Sequence, residues 1–94
     1  MNVISMDQVV AALKILPEGV EVDLNKLKEA IKVGLPTSVS IHKYEEEPIA
    51  FGLVALITYV LMPEKESDIM DRVEKAIKNV KGVSEIEVLM VRRV

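Results

Sequence analysis

Apolar residues divide the chain into six segments, each with the spacing of a strand or a helix. Residues 9–16 are a mostly apolar run of strand length, and the Pro-Glu-Gly sequence at 17–19 is a turn signal that ends it. Asp23 is suited to cap a following helix, and the Gly-Leu-Pro sequence at 34–36 stops that helix. The apolar face of this helix consists of Leu24, Leu27, Ala30 and Ile31.

Two strands are predicted next. Val39 and Ile41 alternate with polar residues that include His42, and the acidic run at 45–47 with Pro48 bounds this half-exposed strand. Residues 53–62 are almost continuously apolar, which fits a strand in the middle of a sheet or a buried helix. The strand is favoured because Gly52 and Pro63 bracket the run and its second half has β-branched and aromatic residues.

A second helix and a closing strand complete the pattern. Ser67 is the expected N-cap of the helix, and its apolar stripe consists of Ile69, Met70, Val73, Ile77 and Val80. Its acid-first pairs four residues apart are Asp68 with Arg72, Asp71 with Lys75, and Glu74 with Lys78. Residues 83–91 then alternate apolar and acidic side chains, as an edge strand does.

The two halves of the chain share positions at a single offset. Pro17-Glu18 recurs as Pro63-Glu64, Leu27 as Val73, and Ala30-Ile31-Lys32 as Ala76-Ile77-Lys78, each 46 residues later. Two copies are too few for a solenoid, but they match the split βαβ pair of a ferredoxin-like fold. The predicted fold is therefore α+β, a βαββαβ sandwich with a four-stranded antiparallel sheet in the order 4-1-3-2 and two helices on one face.

Composition narrows the chemistry that such a domain can perform. The 94 residues suffice for one domain, and the chain has no Cys and a single His. Disulfides, thiolate metal sites, a Cys nucleophile and a His-based zinc site are thereby excluded. The net charge of −3 and the scarcity of aromatic residues argue against direct nucleic-acid binding. No apolar run is long enough for a membrane span and no secretory signal is evident, so a cytoplasmic location is expected.

Two groups of residues are candidates for a chemical site. His42 has no Ser, Asp or second His arranged around it, so an exposed strand histidine is expected there. The acids at 45–47 lack the spacing of a calcium loop, which predicts a solvated loop. No catalytic residue, metal site or cofactor is predicted from these patterns.

The segment EEPIAFGL at 46–53 contains the only Phe of the chain, Phe51, outside the alternating core pattern. Two interpretations are open. On residue type alone the ring is expected to cap the core. An exposed aromatic on a rigid loop would instead be a binding anchor.

Three blocks of sequence carry a family resemblance. They are LPEGVEVDL at 16–24, EEPIAFGLVAL at 46–56, and GVSEIEV at 82–88 with the closing Val91-Arg92-Arg93. Together they resemble the archaeal members of the elongation factor 1-beta family, the counterparts of the catalytic C-terminal domain of the eukaryotic factors. The resemblance covers the chain from about residue 9 and implies an exchange domain at 9–94 after an N-terminal extension at 1–8. Either Met1 or Met6 could be the initiator.

The resemblance implies a guanine nucleotide exchange factor that releases GDP from elongation factor 1-alpha so that GTP can rebind, without covalent chemistry. In the family the Phe of the second block enters an apolar pocket of the GTPase domain, which assigns that role to Phe51. Pro48, Ile49, Ala50 and Gly52 would support it. Eukaryotic members also use a Lys near the chain end, and the resemblance assigns its role in this chain to Arg92 or Arg93.

The predicted topology places the Phe51 loop and the C-terminus at opposite ends of the sheet, so both contribute only if the partner spans that length. The alternative function is a small ferredoxin-like regulatory or dimerisation domain that binds a metabolite. The aliphatic sheet favours that alternative, but the sequence contains no ligand motif for it.

Overall fold

The computed structural model describes residues 8–94. The elements are β1 (Gln8–Pro17), α1 (Leu24–Gly34), β2 (Ser40–Pro48), β3 (Val54–Pro63), α2 (Ile69–Lys78) and β4 (Val83–Arg93). This order confirms the predicted sequence of strands and helices. The predicted extension lies outside the described residues except for Gln8, which is the first residue of β1. The choice between Met1 and Met6 also falls outside them.

The four strands form one sheet in the order β2-β3-β1-β4, and all neighbouring strands are antiparallel. This is the predicted order, read from the other edge. The central strands β1 and β3 are the most apolar ones, and the more charged β2 and β4 form the edges. Central strands are covered on both sides by neighbours, so their backbone groups and apolar side chains are the best protected.

The main core lies between one face of the sheet and the two helices. Leu13 and Ile15 of β1 pair with Thr58 and Leu56 of β3, and these four side chains are fully buried. The helices complete this core with the buried residues Leu27 and Ile31 of α1 and Ile69, Val73 and Ile77 of α2. We call this side of the sheet the helix face and the opposite side the open face.

The helix residues that share an offset of 46 positions occupy equivalent places in this core. Leu27 and Val73 are both buried, and Ile31 and Ile77 are both completely inaccessible. Ala30, which was expected on the apolar face of α1, is exposed. It lies about 100° around the helix from Ile31 and therefore at the margin of the stripe.

The two helices begin differently. Asp23 caps α1 as predicted, because its carboxylate accepts hydrogen bonds from the backbone N–H groups of Asn25 at 2.9 Å and Lys26 at 3.2 Å. The prediction of Ser67 as the cap of α2 is wrong, since the N-cap is Asp68 and its side chain makes no capping hydrogen bond. The Ile69 N–H donates to the Glu66 carbonyl and closes a turn there. The helix therefore begins one residue later than predicted.

Arg72 of α2 forms the ion pairs of the helix start. Its guanidinium lies 3.9 Å from the Asp68 carboxylate and 3.1 Å from that of Glu66. The pair of Asp68 with Arg72 is the one predicted pair of the three that comes within 4.0 Å in the described part of the chain. Arg72 therefore also pairs with Glu66, a turn residue that the four-residue spacing of helical pairs did not predict.

The acidic run at 45–47 is part of a strand, so its prediction as a loop that ends β2 is wrong. A bulge at His42 shifts the register between Ile41 and Lys43, and pairing with β3 then continues to Pro48. Successive carboxylates point to opposite faces of the sheet. Each has a lysine partner: Lys43 with Glu45 at 3.3 Å, Lys28 with Glu46 at 3.3 Å, and Lys14 with Glu47 at 3.4 Å.

Candidate partner-binding site

The hairpin between β2 and β3 ends in a two-residue turn made by Phe51 and Gly52. Both residues have positive φ, 58° for Phe51 and 78° for Gly52, and the Leu53 N–H donates to the Ala50 carbonyl at 3.1 Å. The Ile49 N–H donates to the Leu53 carbonyl at 2.8 Å and closes the turn further. Two consecutive positive φ values are the signature of a type I′ turn, which matches the twist of the flanking strands.

Phe51 is the one non-glycine residue with positive φ in residues 8–94. Its side chain is 96% exposed. The interpretation that the ring caps the core is therefore wrong. The turn carries Phe51 beyond Pro48 and Val54, the last paired residues of the two strands, where no other element covers it. The apolar ring of Phe51 is thus held in water on a hydrogen-bonded turn.

A second exposed apolar side chain lies beside the turn. Val20, in the loop between β1 and α1, is 66% exposed, and its Cγ1 lies 3.6 Å from the position that a Cβ on Gly52 would occupy. We call Val20 and Phe51 the apolar tip. Val20 was missed from the sequence, although an apolar residue between Gly19 and Glu21 in a turn is itself a signal of an exposed side chain.

The apolar tip projects from the molecule and does not surround a ligand pocket. Pro48 and Ala50 are exposed and Ile49 is half-buried, so the predicted supporting residues form the neck of the hairpin. The cleft between the two loops, lined by Val20 and Gly52 among others, has a volume of only about 70 Å³. Pockets for small molecules are usually about 300–1,000 Å³. The geometry favours insertion of the apolar tip into a partner.

Arg92 and Arg93 lie at the end of β4, on opposite faces of the sheet. Arg93 pairs with Val9, and its Nε–H donates to Glu64 Oε2 at 2.7 Å, with its Nη2 also 2.7 Å from that oxygen. Arg92 pairs with Val10 on the open face. There it lines a cleft of about 430 Å³ together with Lys43 and Tyr59. The two arginines that the sequence left equivalent are therefore in different environments.

The hairpin and the two arginines lie at opposite ends of the sheet, as the predicted topology required. Arg92 and Arg93 pair with the first residues of β1, whereas the hairpin begins beyond Leu56, the partner of Ile15 near the end of β1. A strand of 10 residues such as β1 spans about 30 Å. A partner that contacts both regions must extend over at least this distance.

The open face carries a charged and aromatic cluster near Arg92. The Tyr59 hydroxyl donates to Glu45 Oε1 at 3.1 Å, and Lys43 Nζ lies 4.7 Å from the ring centroid. The hydrogen bond to Glu45 raises the pKa of Tyr59 above its ordinary value of 10.0. Tyr59 is therefore a neutral hydrogen-bond donor at physiological pH. His42 is exposed at the bulge, beside the same cleft.

Within residues 8–94 there is no group of three or more His, Asp or Glu side chains arranged to hold a metal ion. No helix of this part of the chain is long and apolar enough to span a bilayer. The candidate contact surfaces are the apolar tip and the two arginines, at opposite ends of the sheet.

Comparison with known proteins connects these surfaces to a family. Residues 10–94 match the family model described as the EF-1 guanine nucleotide exchange domain. The chain belongs to this family. The match includes the hairpin with Phe51 as well as both C-terminal arginines.

Relatives of the exchange domain are similar over nearly their whole length. Elongation factor 1-beta of Staphylothermus marinus is 45% identical over 95% of this chain and 99% of its own. The protein of the same name from Methanothermobacter thermautotrophicus is 44% identical over 94% of this chain and 98% of its own. That of Sulfolobus acidocaldarius is 44% identical over 90% and 94%, respectively.

Solved structures show that the fold of the exchange domain is shared more widely. The ACT domain of a GTP pyrophosphokinase from Chlorobium tepidum superposes with a TM-score of 0.60 at 15% identity, covering 87% of this chain and 99% of that domain. The C-terminal domain of MgtC from Mycobacterium tuberculosis gives a TM-score of 0.59 at 11% identity, covering 94% and 92%. At these identities the likeness concerns the fold alone.

Proposed function

We propose that this protein promotes GDP release from elongation factor 1-alpha, and so allows GTP to rebind, during translation elongation. Membership of the exchange-domain family supports this function. The structural observation that carries it is the 96% exposure of Phe51 on a hydrogen-bonded two-residue turn. An exposed Phe costs solvation free energy in the isolated protein, and burial in a partner recovers it.

The proposed mechanism is differential binding. A protein that binds the nucleotide-free GTPase more tightly than the GDP-bound GTPase must, by linkage, weaken GDP binding by the same factor. This requires surfaces that fit one conformation of the partner. It requires no covalent chemistry and no cofactor, and we propose that the protein is not an enzyme in that sense.

Phe51 is proposed as the anchor at one end of the contact, with Val20 beside it. Pro48, Ile49, Ala50 and Gly52 hold the turn, and their own contacts with the partner are secondary. Two backbone hydrogen bonds restrain the turn, so little backbone entropy is lost when the ring enters a pocket. Anchors of this kind dominate the free energy of many interfaces.

Arg92 and Arg93 are proposed as the contacts at the other end, about 30 Å away along the sheet. Both are exposed at the end of β4, so their cationic groups are available to phosphate or carboxylate groups of the GTPase. Contact at both ends would let one rigid sheet hold two regions of the partner at a set separation. No direct contact with nucleic acid is part of the proposal.

We propose that the exchange domain comprises residues 9–94 together with Gln8, the first residue of β1, and that it acts in the cytoplasm, where elongation takes place. The alternative of a metabolite-binding regulatory domain rests on the fold alone. The ACT-domain likeness at 15% identity does not favour it over the family match.

The test measures release of fluorescent GDP from purified elongation factor 1-alpha as a function of the concentration of this protein. Phe51→Ala is compared with Val33→Ala, because Val33 is also exposed, at 81%, and belongs to α1, which is part of neither the hairpin nor β4. We expect Phe51→Ala to lower the efficiency of catalysed release by about 10- to 100-fold. Val33→Ala should behave as the wild type does.

Circular dichroism spectra and thermal melting of both variants establish that they are folded. If the wild type at saturating concentration leaves the GDP release rate unchanged, the proposed function is wrong. If a folded Phe51→Ala variant accelerates release as well as the wild type, the function stands and the assignment of Phe51 is wrong.

A further inference from the structure

Within residues 8–94, Arg93 is the C-terminal arginine that a carboxylate holds in place. Its Nε–H donates to Glu64 Oε2 at 2.7 Å, and its Nη2 lies 2.7 Å from the same oxygen in an ion pair. We infer that Glu64 positions Arg93 for its contact with the GTPase, an inference that rests on the proposed exchange function. Glu64 is then a positioning residue, which acts through Arg93 without touching the nucleotide.

The ion pair leaves most of the guanidinium free. A guanidinium has five N–H groups, and the Glu64 carboxylate lies against only one edge of it. The Arg93 side chain is 77% exposed, whereas that of Glu64 is 33% exposed. The carboxylate is thus the sheltered member of the pair, and the remaining N–H groups of Arg93 are open to an anion of the partner.

Glu64 is attached to a rigid part of the fold. It follows Pro63, the last residue of β3, whose ring restricts φ and which pairs with Gln8 of β1. Arg93 is the last residue of β4 and pairs with Val9 on the other side of β1. Both members of the ion pair are therefore anchored to adjacent residues of one strand, which sets their separation.

Holding the side chain in advance favours binding. A free Arg side chain samples many rotamers, and the entropy of these rotamers is lost when the group is immobilised in an interface. Glu64 restricts these rotamers before the partner arrives. The expected consequence is an exchange efficiency that is about three- to tenfold higher than with an unconstrained Arg93.

Arg92 provides a contrast within the same strand. It faces the cleft with Lys43 and Tyr59 on the open face, and Glu64 lies on the other side of the sheet. An effect of Glu64 that passes through Arg93 must therefore persist when Arg92 is replaced. It must vanish when Arg93 is replaced.

The experiment is a double-mutant cycle in the GDP release assay. Glu64→Ala, Arg93→Ala and the double variant are measured with the full chain, and Glu64→Ala is repeated in an Arg92→Ala background. Glu66→Ala is the matched control, because Glu66 makes a comparable exposed pair with Arg72 at 3.1 Å in the same turn. In parallel, the NMR signal of the Arg93 Nε–H group reports on the hydrogen bond independently of activity.

We expect Glu64→Ala to lower exchange efficiency about three- to tenfold in the wild type and in the Arg92→Ala background, and to have no further effect on Arg93→Ala. Glu66→Ala should keep the wild-type efficiency. The Arg93 Nε–H signal should exchange faster with water in Glu64→Ala. Glu64→Gln, which keeps an acceptor oxygen, should restore part of the loss.

Other results would overturn the inference. Equal losses from Glu64→Ala with and without Arg93 would show a merely structural role. Faster exchange in Glu64→Ala would show that Glu64 withholds Arg93 from the partner. An Arg93→Ala variant with wild-type exchange efficiency would show that Arg93 does not contribute to exchange. Glu64 would then have no Arg93 contact to position, while the exchange function itself would stand. If the wild type itself is inactive, the function and this inference both fail.

Discussion

Replacing Phe51 with Asn should stabilise the protein while it removes exchange activity. An L-residue in the left-handed region costs about 1–2 kcal/mol of free energy, and Asn is among the residues that tolerate this region best. Phe51 is held there with φ of 58°. Because its side chain is 96% exposed, the substitution removes almost no buried apolar contact.

The magnitude follows from these two observations. Relief of part of the backbone strain should raise the free energy of unfolding by about 0.5–1 kcal/mol. For a domain of this size each kcal/mol corresponds to about 4–8 °C in Tm. The expected increase in Tm is therefore about 2–8 °C.

The assay is urea denaturation followed by far-UV circular dichroism, with equal m-values in the variants compared. Ala50→Asn is the matched control, since Ala50 is an exposed neighbour in the same hairpin whose φ is negative, and it should show no gain in stability. The reasoning would be refuted by a Phe51→Asn variant whose free energy of unfolding is lower than that of the wild type by about 0.5 kcal/mol or more. It would mean that the ring packs in the native state or that the turn is not left-handed.

Three further predictions concern stability. Thr58→Val should raise the free energy of unfolding by about 1 kcal/mol in urea titrations, because the buried Thr58 hydroxyl has no hydrogen-bond partner within residues 8–94. A lower free energy of unfolding would show that the hydroxyl does have a partner. Tyr44→Phe should lower it by about 1 kcal/mol near neutral pH, because the Tyr44 hydroxyl donates to the Lys28 carbonyl at 3.0 Å. Burial raises the pKa of Tyr44 above 10.0, so its contribution is present below pH 10 and is lost as the pH rises through the folded-state pKa. The difference between Tyr44→Phe and wild type should therefore narrow in titrations above pH 10, and a difference that widens would contradict this. Finally, Asp23→Ala should lower the free energy of unfolding by about 1 kcal/mol in the same titrations, because the Asp23 side chain caps α1. Ser67→Ala should lower it much less, because Ser67 is not the N-cap of α2, and equal losses would contradict the assignment.

Much of the fold was predictable because its determinants are local or periodic. The cap at Asp23 depends on residues two and three positions away, and the structure confirms it. The buried faces follow the periods of strand and helix, and Ile31 and Ile77 occupy equivalent core positions in the two halves. The strand order followed from this duplication and from the apolar character of β1 and β3.

The wrong predictions concern residues whose interaction partners the sequence pattern did not identify. The acids at 45–47 were expected in a loop, but pairing with β3 and contacts with lysines of β1, β2 and α1 keep them in a strand. Ser67 has the chemistry of a cap, yet the turn closed by Glu66 starts α2 one residue later. Charge and residue type alone do not reveal which partner the fold supplies.

The sequence by itself determined the elements, their order in the sheet and the family, because hydrophobic period and a specific motif are properties of neighbouring residues. It also singled out Phe51, Arg92 and Arg93. Only the tertiary structure decided that Phe51 is exposed on a left-handed turn beside Val20, and that Arg93 is held by Glu64 while Arg92 faces the open sheet. These environments depend on strand register and on contacts between separate loops, which bring residues distant in the sequence onto one surface.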